Sequence, residues 1–189
     1  MSLTLIVGPM FAGKTGRLLS LATRYTSLGM RVLVLTHASD TRYGHESDVV
    51  THDGRRVPCR RISTFNAIGD ETLWQFDVVL VDEAHFFTGL AAFARRVVED
   101  HRKSLVLVGL DGDSARQPFG ELLHCLPLAD TIERLTALCR RCADGTPGLF
   151  TFRHQGPHDQ QVLVGGSERY ETLCRRCYRR AEERAGRAD

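Results

Sequence analysis

Gly8-Pro9-Met10-Phe11-Ala12-Gly13-Lys14-Thr15 is the stretch on which the reading of this sequence turns. It has the form G-x-x-x-x-G-K-T. Before it lies the apolar run Leu3–Val7; after it, Lys14–Leu28 carries Leu18, Leu19, Leu21, Ala22 and Tyr25 at helical spacing until Gly29 stops the pattern. A strand running through a glycine-rich turn into a helix is the setting a phosphate-binding loop requires. The glycines let backbone N–H groups curl around phosphate oxygens, and the helix N-terminus adds the positive end of its dipole. In this reading Lys14 reaches the β- and γ-phosphates and the Thr15 hydroxyl ligates Mg²⁺. The pattern specifies a nucleoside triphosphate and leaves the reaction open.

Outward from this loop the chain alternates. Arg31–Leu35, Asp77–Val81 and Ser104–Leu110 read as further buried strands, with Asn66–Trp74 a short helix and Thr88–Arg102 a longer one. Val57–Phe65 is a weaker strand candidate, and the polar stretch Thr36–Gly54 reads as a loop. Continuous apolar strands alternating with helices predict an α/β fold: a parallel sheet with helices on both faces. After Cys139 the apolar strands give out and Gly, Pro and Arg become frequent. A boundary near residue 138 is therefore expected, with a nucleotide-binding core over 1–138 and a smaller domain over 139–189.

Composition narrows the function classes. At 189 residues, 42% of them hydrophobic and with a net charge of +2, the chain is long enough for one core plus a small appendage and is no disordered tail. The 25 basic residues comprise 23 Arg and only Lys14 and Lys103, and 23 acidic residues oppose them, so no positive excess argues for nucleic acid. No apolar run approaches bilayer length, and the opening residues lead straight into the glycine turn, so neither a membrane span nor an export signal is expected. The expected setting is cytosolic.

Asp82-Glu83 directly follows the strand Asp77–Val81. An acid at the carboxyl end of a neighbouring parallel strand lies beside the phosphate loop, where it can hold the water shell of Mg²⁺. A second acid one residue on can act as general base for a hydroxyl or a water. Asp82-Glu83-Ala84-His85 also spells the signature of a helicase class, but such motors need two lobes and roughly twice this length. Two pairs, Cys139-x-x-Cys142 and Cys174-x-x-Cys177, stand 31 residues apart. In a reducing compartment four thiolates in two such knuckles favour tetrahedral, structural Zn²⁺ over disulfides, with a redox pair or unrelated thiols as the other readings. Cys59 and Cys125 have no partner pattern. The segment between the knuckles holds Gln161-Val162-Leu163-Val164-Gly165-Gly166 and then Tyr170, an apolar strand opening into Gly-Gly whose backbone can read a flat polar ligand. Asp40-Thr41-Arg42-Tyr43 offers an Arg for phosphates.

Taken in order, these segments resemble the zinc-containing thymidine kinase family. The matching pieces are the loop Gly8–Thr15, Asp40-Thr41-Arg42-Tyr43, Thr51-His52, Asp82-Glu83-Ala84-His85-Phe86-Phe87, Gly109-Leu110-Asp111-Gly112-Asp113 and Pro118-Phe119-Gly120. Pro127-Leu128-Ala129, Leu135-Thr136-Ala137, both cysteine pairs, and Gly165-Gly166 with Tyr170 complete the series. The resemblance implies a recombinase-like phosphate-loop core, a small zinc-bearing domain, and a lasso loop closing over the nucleoside. It implies transfer of phosphate from ATP, with Mg²⁺, to the 5′-hydroxyl of thymidine. Glu83 would be the catalytic base. The nucleotide would meet Gly8, Pro9, Met10, Phe11, Ala12, Gly13, Lys14, Thr15, Asp40, Thr41, Arg42, Asp82, Glu83, Ala84 and His85. The nucleoside would meet the lasso residues Gln161, Val162, Leu163, Val164 and Gly165, with Tyr170 and the position of Ser114. Cys139, Cys142, Cys174 and Cys177 would hold Zn²⁺. Family members are usually homotetramers inhibited by the end product, dTTP. A kinase for another nucleoside and a regulatory ATPase are the alternative readings. Three positions depart from the family pattern: His85 stands where Gln is typical, Ser114 where Phe is usual, and the Lys common just before Asp-Thr-Arg-Tyr is missing.

Overall fold

The computed structural model describes residues 1–39, 48–50, 56–154, 161, 163 and 165–185. Among these, Ser2–Val7 (β1), Val32–His37 (β2), Asp48–Val50 (β3), Arg56–Pro58 (β4), Arg60–Ile62 (β5), Val78–Val81 (β6), Ser104–Gly109 (β7) and Thr131–Arg134 (β8) are strands. The helices of this part are Lys14–Ser27 (α1), Asp70–Trp74 (α2) and Leu90–Arg95 (α3), the last continued by a π turn over Arg96–Asp100. Six strands form one sheet in the order β5-β2-β6-β7-β1-β8, every pair parallel. The expected α/β architecture is present.

Alternation along the central strands explains why they read as unbroken apolar runs. Leu3, Leu5, Val7, Leu33, Leu35, Val79, Val81, Leu105 and Leu107 face one core, with Leu73, Leu90, Phe93 and Val97 from the α2 and α3 side. Ile6, Val34, Val78, Leu80, Val106 and Val108 face the other, under Leu18, Leu19, Leu21 and Ala22 of α1. Both faces are covered, so no polar side chain alternates in. Each such aliphatic side chain, fully buried, contributes about 1.5–3 kcal/mol.

Three local expectations need correction. The stretch 36–54 is not all loop, since β3 lies in it and pairs antiparallel with β4. Val57–Phe65 holds two short strands, β4 and β5, instead of one. β8 went unanticipated because Thr131-Ile132-Glu133-Arg134 is polar and largely exposed; as an edge strand it buries little and carries no apolar run.

Past β8 the chain leaves the large sheet. Ala137–Leu138 (β9) pairs antiparallel with Pro147–Gly148 (β10), and Phe150–Arg153 (β11) with Tyr170–Leu173 (β12). Arg175–Ala185 (α4) follows. Cys139, Phe152, Leu173, Cys174, Tyr178 and Ala181 form a third, small apolar cluster there.

Candidate phosphate and nucleoside site

The phosphate loop lies at the carboxyl end of β1, between the sheet and α1. Gly8 has to be glycine: its φ is +153°, and a Cβ would run into the Leu135 carbonyl, because the chain leaving β8 crosses directly over it. Gly13 precedes α1 in the left-handed region (φ 76°), and no side chain caps the helix. The first amides of α1 therefore lack a protein-supplied acceptor of that kind, the arrangement that suits a bound anion. Lys14 is buried and donates its Nζ–H to the Pro9 carbonyl at 2.7 Å, across the loop. Phe11, at φ 62°, is half exposed on the outside of the turn.

Asp82 and Glu83 sit at the end of β6. That strand is not adjacent to β1, as the sequence suggested; β7 runs between them. The gap is closed by a side chain, since the Thr15 hydroxyl donates to Asp82 Oδ2 at 3.0 Å. Asp82 Oδ1 accepts the Glu83 N–H at 3.0 Å and so fixes the turn after the strand. Glu83 itself lies in the left-handed region (φ 51°) and is only 7% exposed. Its Oε2 is 3.4 Å from His85 Nε2, and His85 Nδ1 accepts the Leu110 N–H at 3.1 Å. The rings of Phe86 and Phe119 flank His85 at 4.3 and 4.6 Å between centroids.

The opposite wall comes from the C-terminal part. Thr151 Oγ1 accepts the Met10 N–H at 3.0 Å, and the Thr172 hydroxyl donates to the Met10 carbonyl at 2.8 Å. Two threonines of the β11–β12 pair thereby grip the phosphate loop. Gln161 donates through its side chain to Asp113 Oδ2 at 2.8 Å, and its carbonyl accepts from the buried Arg153 at 3.2 Å. Tyr170 is buried and donates its hydroxyl to the Leu163 carbonyl at 2.5 Å. Gly166 gives its N–H to Glu168 Oε1 at 2.7 Å, which holds that carboxyl below its ordinary value. The Ser114 carbonyl accepts the Tyr178 hydroxyl at 2.5 Å, and Arg116 stacks over the Tyr178 ring at 4.3 Å while pairing with Glu182 at 2.9 Å. The loop after β7 is thus docked on α4.

The four cysteines come together. Their Sγ atoms all lie within 4.8 Å of one another, with Cys142 at 3.8 Å from Cys174 and 3.6 Å from Cys177. Zn–S bonds of about 2.3 Å in a regular tetrahedron separate sulfurs by about 3.8 Å, so the spacing fits the metal. Electrostatics agree. Burial opposes ionisation of Cys139, yet the backbone N–H groups at Cys174, Cys142 and Arg141 outweigh it and bring the thiol down to about 6. Cys177 is pushed up to about 12 by its hydrogen bond with Cys142 and by burial. Of these two thiols, Cys139 is the one held readily as a thiolate and Cys177 the one that resists ionisation. Cys59 and Cys125 lie outside this cluster, and burial raises Cys125 to about 11.

The structure therefore brings Lys14, Thr15, Asp82, Glu83 and His85 together at the carboxyl ends of β1 and β6, while Gln161 is tied to Asp113 in the loop after β7 and Tyr170 to Leu163. Asp40, Thr41, Arg42, Val162 and Val164 lie outside the described residues. Thr151, Thr172 and Arg153 carry no motif of their own, whereas Asp113 ends the segment Gly109-Leu110-Asp111-Gly112-Asp113. A single hydroxyl or buried Arg has no spacing signal, and only their long-range partners expose their roles.

The sequence model of the thymidine kinase family matches residues 1–178. The chain is 40% identical over 178 residues to a thymidine kinase of Oryza sativa subsp. japonica, an alignment covering 92% of this chain and 64% of that protein. To thymidine kinase a of Arabidopsis thaliana it is 38% identical over 177 residues, covering 92% of this chain and 73% of the relative. To the thymidine kinase of Yaba monkey tumor virus (strain VR587) it is 35% identical over 175 residues, covering 92% of both. The chain thus spans less than two thirds of the rice relative and nearly all of the viral one. With a family model matched over nearly the whole chain, a range that includes both the phosphate loop and the four cysteines, the chain belongs to the thymidine kinase family.

Proposed function

We propose that the chain transfers the γ-phosphoryl group of ATP to the 5′-hydroxyl of thymidine, giving ADP and dTMP, the reaction after which its family is named. The observation that supports this most is the Thr15–Asp82 hydrogen bond of 3.0 Å, which ties the phosphate loop to the strand end that carries Glu83. The 5′-oxygen attacks the γ-phosphorus, its proton passes to the Glu83 carboxylate, and the bond from the γ-phosphorus to the β–γ bridging oxygen breaks. Lys14, with Arg42, neutralises the phosphates. Thr15 and Asp82 would hold Mg²⁺, which supplies charge compensation between the β- and γ-phosphates. The lasso backbone from Gln161 to Gly165, with Tyr170 and Ser114 nearby, receives the nucleoside.

The same reading includes a structural Zn²⁺ on Cys139, Cys142, Cys174 and Cys177, supported by the sulfur spacing. It also includes a division at residue 138, feedback by dTTP, a homotetramer and a cytoplasmic setting without nucleic-acid or membrane partners. No helix among the described residues is long and apolar enough to cross a membrane. Incubation with labelled ATP and a panel of nucleosides tests the reaction. Label is expected on thymidine. Label on another nucleoside instead overturns the substrate, and phosphate released only when DNA or RNA is added overturns the kinase reading.

A further inference from the structure

We propose that His85 is a positioning residue for Glu83: its imidazole, locked as the Nε2–H tautomer, holds the carboxylate where it receives the hydroxyl proton. This rests on the reading of Glu83 as base. The ring has no freedom. His85 is 3% exposed, between Phe86 and Phe119. The backbone closes on it from two sides: a Cβ on Gly109 would come within 2.9 Å of Nδ1, and one on Gly120 would collide with the His85 carbonyl. Both positions are glycines, which lets β7 and the 119–120 turn press against this residue.

Chemistry then fixes the proton. The Leu110 N–H, 3.1 Å from Nδ1, can only donate, so Nδ1 must present its lone pair. A neutral imidazole with Nδ1 bare carries its proton on Nε2. Protonating both nitrogens would set one N–H against another at Leu110. That puts the Nε2 proton on the side of the ring nearest Glu83 Oε2, which can only accept while ionised; the two atoms stand at an ion-pair distance of 3.4 Å and are not aligned as a hydrogen bond. That length is typical of catalytic contacts that tighten once substrate is bound. Glu83 is itself buried, and its backbone is in the left-handed region, so its carboxyl is presented from a constrained turn. The tautomer is set by the main chain at the end of β7, and the carboxylate by the tautomer.

Two substitutions separate the two ring nitrogens. An Asn carboxamide oxygen takes the place of Nδ1 and keeps the bond from Leu110, but reaches no further. A Gln amide takes the place of Nε2 and keeps the donor toward Glu83. His85→Asn should lower kcat roughly 10- to 100-fold while the KM values for ATP and thymidine stay within about threefold. His85→Gln should keep kcat within about threefold of the parent protein. Placed on Glu83→Gln, His85→Asn should add no further loss, since its effect runs through the carboxylate. Parent-level kcat in His85→Asn, or a fall in His85→Gln as deep as in His85→Asn, overturns the proposal. If Glu83→Gln itself turns over normally, the base reading fails and takes this one with it; if Glu83→Gln is inactive and His85→Asn is not, only the role of His85 fails. Imidazole ¹⁵N shifts of the unsubstituted protein read the tautomer without any variant having to fold. An Nε2–H signature supports the assignment, and an Nδ1–H or imidazolium signature overturns it.

Discussion

The phosphate end of the site grows from a sheet buried on both faces, under α1 on one side and under α2 and α3 on the other. The end proposed to receive the nucleoside hangs on a cluster of six buried residues, among them Cys139 and Cys174 of the cysteine cluster, and on a few long-range hydrogen bonds. The difference is one of what enforces order. Apolar burial on two faces fixes the phosphate loop whether or not a metal is present. The small cluster buries less, and its four converging sulfurs would repel one another once ionised, so under the proposed reading its order depends on a bound cation such as Zn²⁺. A ligand bound between the two ends senses both.

That contrast can be broken from either side. Glu83→Gln preserves shape and removes the base; kcat should fall about 10²–10⁴-fold while ATP affinity, measured by equilibrium titration, stays near its original value. An unchanged kcat would move the role to Asp82. Stripping zinc with a strong chelator should raise the KM for thymidine more than about tenfold and lower the first unfolding transition, with nucleotide binding changed less than about twofold. Equal loss at both ends would show that the Cys-bearing part also holds the phosphate loop in place, through Thr151 and Thr172.

Subtler changes sharpen the comparison at the seam. Ser114→Phe adds a ring to the loop docked on α4, and an aromatic contact worth roughly 0.5–1.5 kcal/mol should lower the KM for thymidine about two- to tenfold and impair a bulky 5-substituted analogue. A higher KM would mean that neighbouring rings already fill the space. Tyr178→Phe deletes the hydrogen bond to the Ser114 carbonyl. The cost, about 0.5–1.5 kcal/mol, should appear as a Tm lower by about 2–4 °C in a calorimetric scan, with kcat little changed.

Much of the fold was legible because its signals are local. Leu3–Val7, Val78–Val81 and Ser104–Gly109 are continuous apolar runs since both sides of the sheet are covered, and a window of a few residues suffices to see them. β8 was not legible, for the converse reason: an exposed edge strand shows no such run. In the site, Lys14 and Thr15 were assigned by a contiguous motif, and the cysteines by spacing within each pair. His85 was visible as a nucleotide-contact candidate after the acid pair and as a departure from the family pattern; that its Nδ1 meets Leu110, 25 residues away, was not.

The sequence by itself determined the phosphate loop, the acid pair after β6 and the two cysteine pairs. Each depends on backbone conformation or donor chemistry within a few consecutive residues. Only the tertiary structure decided that β7 lies between β1 and β6, so that Thr15 has to reach Asp82 across it. It alone decided that Met10 is gripped by Thr151 and Thr172, 141 and 162 residues away, and that Gln161 is tied to Asp113, 48 residues away. Those pairings arise when separately buried surfaces are packed against one another, and no short window of sequence contains both partners.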